Sequence, residues 1–565
     1  MGAIGRPAAW KTTLLVGFLF LRAAGTGQAA SPFAATGTQV MVASANRQAT
    51  EAGLEILRKG GNAVDAAVAV GYALGVGDPY HSGIGGGGFM VVRLNTGDVH
   101  ALDFRETAPR AAHREMYLKG GKVVPGLSTE GPLAVAVPGI VAGYAEALRR
   151  FGTMTLKDVL APAVRLAEQG PVVTPYYTSV VADQRIQDLL RRFPESAGIF
   201  LPGGLPPAVG DLLVQKDLAR TYRLIADRGA EVFYRGEIAE AIVRAMRARG
   251  GLITKNDLAS YQVKVRAPVG GSYRGFEIVS MPPPSSGGTH VIQILNILEG
   301  YDVAKLGRGS SALIHLAAEA MKRAFADRAE FMGDPDFVVV PVAGLLSKSY
   351  AADRRRDIDP DRATVDVKSG TPRGAGGTSH FSVVDRRGNV VAVTQTINTH
   401  FGSGLVAPGT GIVLNNEMDD FAAAAGVPNA FGLLGGAANA IAPGKRPLSS
   451  MSPTIVIRDG KPRLAVGCAG GPRIITSVVA AVVNVIDFGM TVQEAVDFPR
   501  YHSQGRGVWV EREVPESVRE GLIARGHTVE ERPHWSRCQA ISIDPATGHL
   551  FGAADSRQEG SAAGF

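Results

Sequence analysis

The run Gly376-Gly377-Thr378-Ser379-His380-Phe381-Ser382-Val383-Val384-Asp385 narrows the possible folds of this chain further than any other stretch. Two glycines lead into a threonine that opens an alternating strand. The turn Arg386-Arg387-Gly388-Asn389 folds it back into a second strand, Val390 to Thr396. A threonine at a strand start is ordinarily just a good β-former. It turns catalytic if the chain is cut directly before it, because the freed α-amine can take the proton from its own hydroxyl.

The chain downstream of Thr378 carries motifs that suit such a site. Val393 to Thr399 forms the returning strand and places Thr396 and Asn398 where they can lie across from Thr378. Leu414-Asn415-Asn416-Glu417-Met418-Asp419-Asp420-Phe421 reads as a strand ending in three carboxylates, whose mutual repulsion a cationic ligand would relieve; a solvated acidic turn is the alternative. In Lys445-Arg446-Pro447-Leu448-Ser449-Ser450-Met451-Ser452, hydroxyls around a basic pair suit carboxylate capture, or form a plain serine-rich turn. Gly467-Cys468-Ala469-Gly470-Gly471-Pro472-Arg473 joins a strand to a helix. Its adjacent glycine N–H groups can point at a developing oxyanion, although a tight turn accounts for the two glycines equally well.

The spacing predicts helices over residues 62–74, 137–151, 239–249, 311–332, 475–488 and 492–498, with residues 176–260 mainly helical. A glycine run at 83–88 leads into a strand at 89–94. Residues 352–377, charged and poor in large apolar side chains, read as an exposed, flexible segment of the kind in which cleavage concentrates. Strands in both halves with helices between them imply a layered α/β architecture. Residues 1–30 have the build of an export signal: Arg6 and Lys11, the apolar run Thr12 to Leu21, then small residues ending at Ala29-Ala30. The compartment expected from this is periplasmic or secreted. Two cysteines, Cys468 and Cys538, define no framework; they could pair or stay as buried thiols. The net charge of +7 comes from scattered Lys and Arg with no basic stripe, which argues against nucleic-acid binding.

Taken together and in this order, these motifs resemble the γ-glutamyltranspeptidase family of N-terminal nucleophile hydrolases. The similarity includes Asp103-Phe104-Arg105-Glu106-Thr107-Ala108-Pro109, Gly251-Leu252-Ile253-Thr254, Ser280 to Gly288 and Gly333 to Phe337, and is densest from Thr378 to Thr476. The resemblance implies a four-layer αββα sandwich built from two chains cut from one precursor between Gly377 and Thr378. A large subunit of residues 31–377 would stay associated as a heterodimer with a small subunit of residues 378–565. By the same carry-over, Thr378 is nucleophile and, through its new amine, its own base; Thr396 hydrogen-bonds it; Arg105 with Ser449 and Ser450 binds the substrate α-carboxylate; Asn398, Glu417 and Asp420 surround the α-amine; and Gly470 and Gly471 form the oxyanion hole. The implied substrates are glutathione and other γ-glutamyl compounds, with water, amino acids or peptides as acceptors and no metal or organic cofactor.

Two positions depart from the family pattern. Segment Phe421 to Ile441 resembles its lid loop, but carries Phe431 where bacterial members often have Tyr, and Pro472 stands where Ser is common. The nearest rival function is a glutaryl-type cephalosporin acylase of the same fold, which would leave Asp420 facing no cation. A non-catalytic secreted binding protein is a rival from another class. No G-x-S-x-G elbow or H-E-x-x-H zinc motif is present.

Overall fold

The computed structural model describes residues 2, 34–367, 379–424, 426–505 and 507–565. The expected export signal (Gly2 excepted) and both residues of the expected cleavage site, Gly377 and Thr378, lie outside them.

Two seven-stranded antiparallel sheets dominate the fold. Their strands, in chain order, are β1 (Ala35–Gly37), β2 (Met41–Ser44), β3 (Gly87–Arg93), β4 (Val99–Phe104), β5 (Lys264–Arg266), β6 (Val269–Tyr273), β7 (Phe276–Ser280), β8 (Ser379–Val384), β9 (Val390–Thr396), β10 (Thr454–Arg458), β11 (Lys461–Ala469), β12 (Arg537–Ile543), β13 (Leu550–Ala554) and β14 (Ser561–Gly564). One sheet runs β14-β2-β8-β9-β3-β4-β5 and the other β1-β13-β12-β11-β10-β7-β6. The β8–β9 hairpin sits in the middle of the first sheet, with Ser379 opposite Gln395 and Val384 opposite Val390. Its turn is held by Asp385, which accepts from the backbone N–H groups of Arg387 and Asn389.

Alternation along these strands separates two cores. Phe381, Val383, Val391 and Val393 face a core shared with helix α1 (Ala63–Gly77). Phe89, Val91, Val390 and Ala392 face the other sheet, in the core that also receives helices α2 (Gly287–Leu298), α3 (Ser311–Phe331) and α4 (Arg473–Ile486). The sheets stack directly: β8 and β9 pack on β11, and a side chain at Gly467 would collide with the His380 ring. The result is the expected four-layer αββα sandwich. Local signals set the helix starts. Asn62 caps α1 and forms a reciprocal capping box with Asp65, because each side chain accepts the other residue's backbone N–H.

Two expectations change, and one open alternative is settled. The helix read from Val137 starts at Ile140, since Thr107 and Val137 pair as a β-bridge and only then does the chain turn. Residues 352–367 are not a free segment. Lys348–Arg356 is a helix, and the stretch after it is tied down: Thr364 N–H donates to Glu319, Lys322 donates to the Thr364 carbonyl, and Ala363 N–H donates to Arg525 O. Composition marked this stretch as polar; buried partners on α3 give those polar groups a structural use. The cysteines pair: Cys468 and Cys538 are direct partners across β11 and β12 and form a disulfide. Among the described residues, no helix is long and apolar enough to cross a membrane.

The disulfide closes a loop with a sequence separation of 70 residues. Cys468→Ala/Cys538→Ala should therefore lower stability by about 2–4 kcal/mol, read from the shift of the denaturant midpoint; an unchanged midpoint would show that the sheet alone fixes this pairing.

Candidate active site

The site is assembled where strand ends and loops converge beside β8 and β9. Thr396 ends β9 opposite Gly87, and its Oγ1 accepts the backbone N–H of Asn398 at 2.7 Å. Asn398 adopts a left-handed φ of 80° and donates its amide to Asn416 O at 3.0 Å, which ties the end of β9 to the acidic loop. The glycine run has a steric purpose here. A side chain on Gly86 would strike the Thr396 carbonyl, and one on Gly87 would strike the Glu106 carboxylate.

Arg105, at the exit of β4, is fully buried and is the electrostatic centre of the site. Its Nη1 donates to Glu417, its Nη2 to Asp420 at 2.5 Å, and its Nε to Pro447 O at 3.1 Å. Glu106 lies 3.6 Å from Nη1, and neither of its oxygens has a hydrogen-bond partner among the described residues; the same holds for Glu417 Oε2. Three buried carboxylates thus crowd one guanidinium. Burial pushes the Glu106 carboxyl up to about 7 against the pull of Arg105. Burial likewise holds Glu417 well above, and Asp420 above, the ordinary carboxylate range. Burial also works against the charge of Arg105, but Glu417, Asp420 and Glu106 outweigh it and hold its pKa above the usual guanidinium value.

This arrangement corrects one expectation: Asp420 faces a cation, Arg105, without any ligand. The third acidic residue, Asp419, separates from the other two. It accepts from Ser128 Oγ at 2.6 Å and from the Ala430 N–H at 2.7 Å. The described part of segment 421–441 is anchored to these carboxylates, because Asn429 also donates to Asp420 at 3.2 Å. Phe431 is buried in the core that also receives α2, α3 and α4.

Ser449 and Ser450 lie beside the Ser285-Ser286 loop, with Ser286 donating to the Ser449 carbonyl. The basic pair before them serves elsewhere. Lys445 donates to the carbonyls of Ala438 and Ala440, and Arg446 pairs with Asp103 at 3.3 Å. The cation behind Ser450 is instead Arg328 of α3, which motif reading missed. It is buried, donates to Ser286 Oγ at 2.9 Å and to Ser450 Oγ at 3.2 Å, and is pushed down to about 10 by burial, with Asp420 opposing and Arg105 adding to the shift. Its place in the last turn of a helix, far from the serines in sequence, gave no local sign of this role. Glu106 was within reach of the sequence, since it adjoins Arg105 in a quoted motif.

At the same open end of the hairpin, where Ser379 pairs with Gln395, Ser379 Oγ donates to Asp78. Asp78 accepts in turn from His81 Nδ1 at 2.7 Å. Burial lifts Asp78 to about 6 and keeps His81 well below its ordinary pKa, so this network carries a neutral imidazole. Sequence reasoning missed both residues. Gly470 and Gly471, with φ of 132° and 61°, join β11 to α4. Arg473 Nε braces this turn by donating to the Gly470 carbonyl at 2.9 Å. Pro472 sits just before the first residue of α4, where a missing N–H costs little.

A model of the γ-glutamyltranspeptidase family matches residues 49–565. The chain belongs to the γ-glutamyltranspeptidase family. It is 47% identical over 531 residues to a glutathione hydrolase proenzyme of Escherichia coli (strain K12), covering 92% of this chain and 90% of that one. It is 45% identical to an acylase ACY 1 proenzyme of Pseudomonas sp. (strain V22), covering 93% and 94%. Among solved structures, a cephalosporin acylase from Bacillus halodurans superposes with a TM-score of 0.84 at 30% identity, covering 100% of this chain and 99% of that one.

Within this family frame, two groups of side chains have metal-like spacing, His315/Glu319/His527 and Glu511/Glu513/His534. In both, a carboxylate is already neutralised: Glu319 by Lys322 and Arg323, and Glu511 by Arg557. Neither group suits a dication.

The crowding around Arg105 makes a pH prediction. Because the Glu106 pKa is raised in the folded chain, the folded state holds a proton that the unfolded state has released. Its contribution to stability therefore falls as pH rises from about 4.5 through about 7. Relative to wild type, Glu106→Gln should melt higher at pH 8 than at pH 5, by on the order of 2 °C. Equal differences at the two pH values would remove Glu106 from the cluster's titration.

Proposed function

We propose that this chain is the precursor of an exported γ-glutamyltranspeptidase and glutathione hydrolase, matured by cleavage between Gly377 and Thr378, with Thr378 as nucleophile. Residues 31–377 and 378–565 are then the large and small subunits, and residues 1–30 the signal that directs the chain to the periplasm or the medium. Family membership and the glutathione hydrolase relatives support the activity. The placement of Thr378 draws support from its neighbour: Ser379 pairs with Gln395, and Gln395 adjoins Thr396.

The observation that carries the substrate assignment is the ratio of charges around Arg105. An α-amino acid head brings one anion and one cation on adjacent atoms. Its carboxylate takes the Arg105 fork, assisted by Ser449 and by Ser450 with Arg328 behind it, and its ammonium takes the displaced Asp420 and Glu417, with Asn398 alongside. The ligand exchanges the internal pairs of Arg105 with Glu417 and Asp420 for pairs across the interface, its carboxylate to Arg105 and its ammonium to the two carboxylates, so each displaced group finds an opposite charge. Held in this way, the γ-carbonyl meets Thr378. The new α-amine accepts the hydroxyl proton as Oγ1 attacks, and the N–H groups of Gly470 and Gly471 receive the oxyanion. Collapse expels the leaving amine, which takes up the proton, and leaves a γ-glutamyl ester. Water then releases glutamate, or an amino acid or peptide amine takes the acyl group. Thr396 orients the nucleophile.

The acylase relatives favour one second reading, a glutaryl-type acylase on the same site. A glutaryl group brings only the anion. It would displace Asp420 and Glu417 from Arg105 and offer them nothing in return, so the carboxylate excess favours γ-glutamyl. Turnover of a γ-glutamyl anilide against its glutaryl analogue separates the readings, and a glutaryl preference would reverse the choice.

Thr378→Ala should leave a single uncut chain on a denaturing gel and abolish turnover; mature fragments from that variant would place the nucleophile elsewhere. Asp420→Asn should still mature, but with KM for γ-glutamyl donors raised about tenfold or more, the scale of a lost hydrogen bond between charges. An unchanged KM would remove Asp420 from the α-amine site.

A further inference from the structure

Beside the oxyanion loop lies a cavity of about 860 Å³ that shares Gly470 with the catalytic site and touches none of the residues around Arg105. One wall carries His81, which is joined through Asp78 to Ser379, so the cavity adjoins the nucleophilic strand from a second direction. Its lining is cationic and aromatic. Arg473 is buried, and among the described residues no carboxylate lies within ion-pair distance of it; its guanidinium lies 5.9 Å from the centre of the Trp509 ring. Arg532 lies 5.0 Å from the same ring and pairs with Glu530 at the exposed rim. Trp535 packs edge-on against Trp509, and its Nε1–H is buried with no acceptor among the described residues. Arg537 lies over the Tyr176 ring on the same lining.

A buried guanidinium without a carboxylate and an indole N–H without an acceptor both call for an anionic oxygen. Resting on the γ-glutamyl reading above, we propose that this cavity binds the carboxylate of the group leaving or entering the acyl-enzyme. Arg473 and Trp535 Nε1 are its donors, and the ligand class is a carboxylate-terminated amino acid or dipeptide.

The geometry limits the ligand's length. The amine that leaves or attacks sits on the carbonyl carbon whose oxygen Gly470 and Gly471 hold. A peptide spans about 3.5 Å per residue, so the carboxylate of a dipeptide lies about 7 Å from its amine. Arg473 branches from the turn that holds the oxyanion, with Nε at 2.9 Å from the Gly470 carbonyl and the guanidinium turned toward Trp509. That places its charge about one side chain away from the reacting centre, and the aromatic walls cover the apolar faces of such a ligand. Arg532 adds long-range attraction at the mouth, where solvent screens it. The γ-glutamyl head and the amine partner are thus recognised by two separate cations, Arg105 and Arg473, on either side of the scissile bond.

The test uses the matured enzyme and three donors: glutathione, its C-terminal amide, and a γ-glutamyl anilide. Wild type should hydrolyse glutathione with a kcat/KM about tenfold above that of the amide, with most of the difference in KM. Arg473→Gln should bring the glutathione-to-amide ratio close to one. Trp535→Phe, which removes only the N–H, should lower that ratio about threefold, and it keeps the proposal testable if loss of Arg473 disturbs the oxyanion turn. Equal handling of acid and amide by wild type, or an unchanged ratio in Trp535→Phe together with Arg473→Gln, overturns the proposal. The anilide keeps the two readings apart. Turnover of the anilide without discrimination between acid and amide sinks the cavity assignment alone, whereas failure to turn over any of the three donors sinks the γ-glutamyl reading itself.

Discussion

One buried arginine ringed by carboxylates organises this molecule. Arg105 comes from the exit of an early strand; Glu417 and Asp420 come from a loop more than 300 residues later; and Pro447 O closes the ring. A guanidinium this deep is tolerable only because acceptors surround it, and carboxylates this deep are tolerable only because of the guanidinium. The loops are therefore pinned to one another around one buried charge.

The same interdependence makes a cut chain plausible as a single folded body. Both sheets interleave strands from before and after position 378. The β8–β9 hairpin lies between β2 and β3, and the C-terminal strand β14 lies outside β2. A cut directly before Ser379 would break no ladder among the described strands. Arg105 and its partners Glu417 and Asp420 would sit on different fragments, joined by charge and burial rather than by a peptide bond. Cleavage could then change the chemistry of one residue without dismantling the scaffold that aims it.

Much of this was legible in the chain. The β8–β9 hairpin follows from strict alternation around a glycine turn, and the Gly-rich segments fall where backbones or carboxylates approach too closely for a side chain. Arg105, Glu417 and Asp420 were readable through family resemblance as groups around one substrate head, but not as partners of one another, which is how the structure pairs them. Arg328 and Arg473 were not. Each lies in a helix whose pattern reads only as apolar periodicity, and each becomes notable because of what the fold places beside it: two serine hydroxyls for the first, an indole and the Gly470-Gly471 turn for the second. Lys445 and Arg446 misled for the converse reason. A basic pair next to serines looks like an anion site until the carbonyls and the aspartate that occupy it are seen.

By itself, the sequence determined the local grammar: which runs form strands and helices, where the hairpin turns, that a threonine follows two glycines at its head, and which family the motifs belong to. These are short-range properties, set by side-chain periodicity, backbone freedom and capping. Tertiary structure alone decided how the charges pair. Asp419 parts from Asp420, Glu106 joins Arg105, Cys468 meets Cys538, and a cationic, aromatic cavity opens beside Gly470. Coulomb energy and burial depend on distances between residues hundreds of positions apart, and those distances exist only once the sheets have stacked.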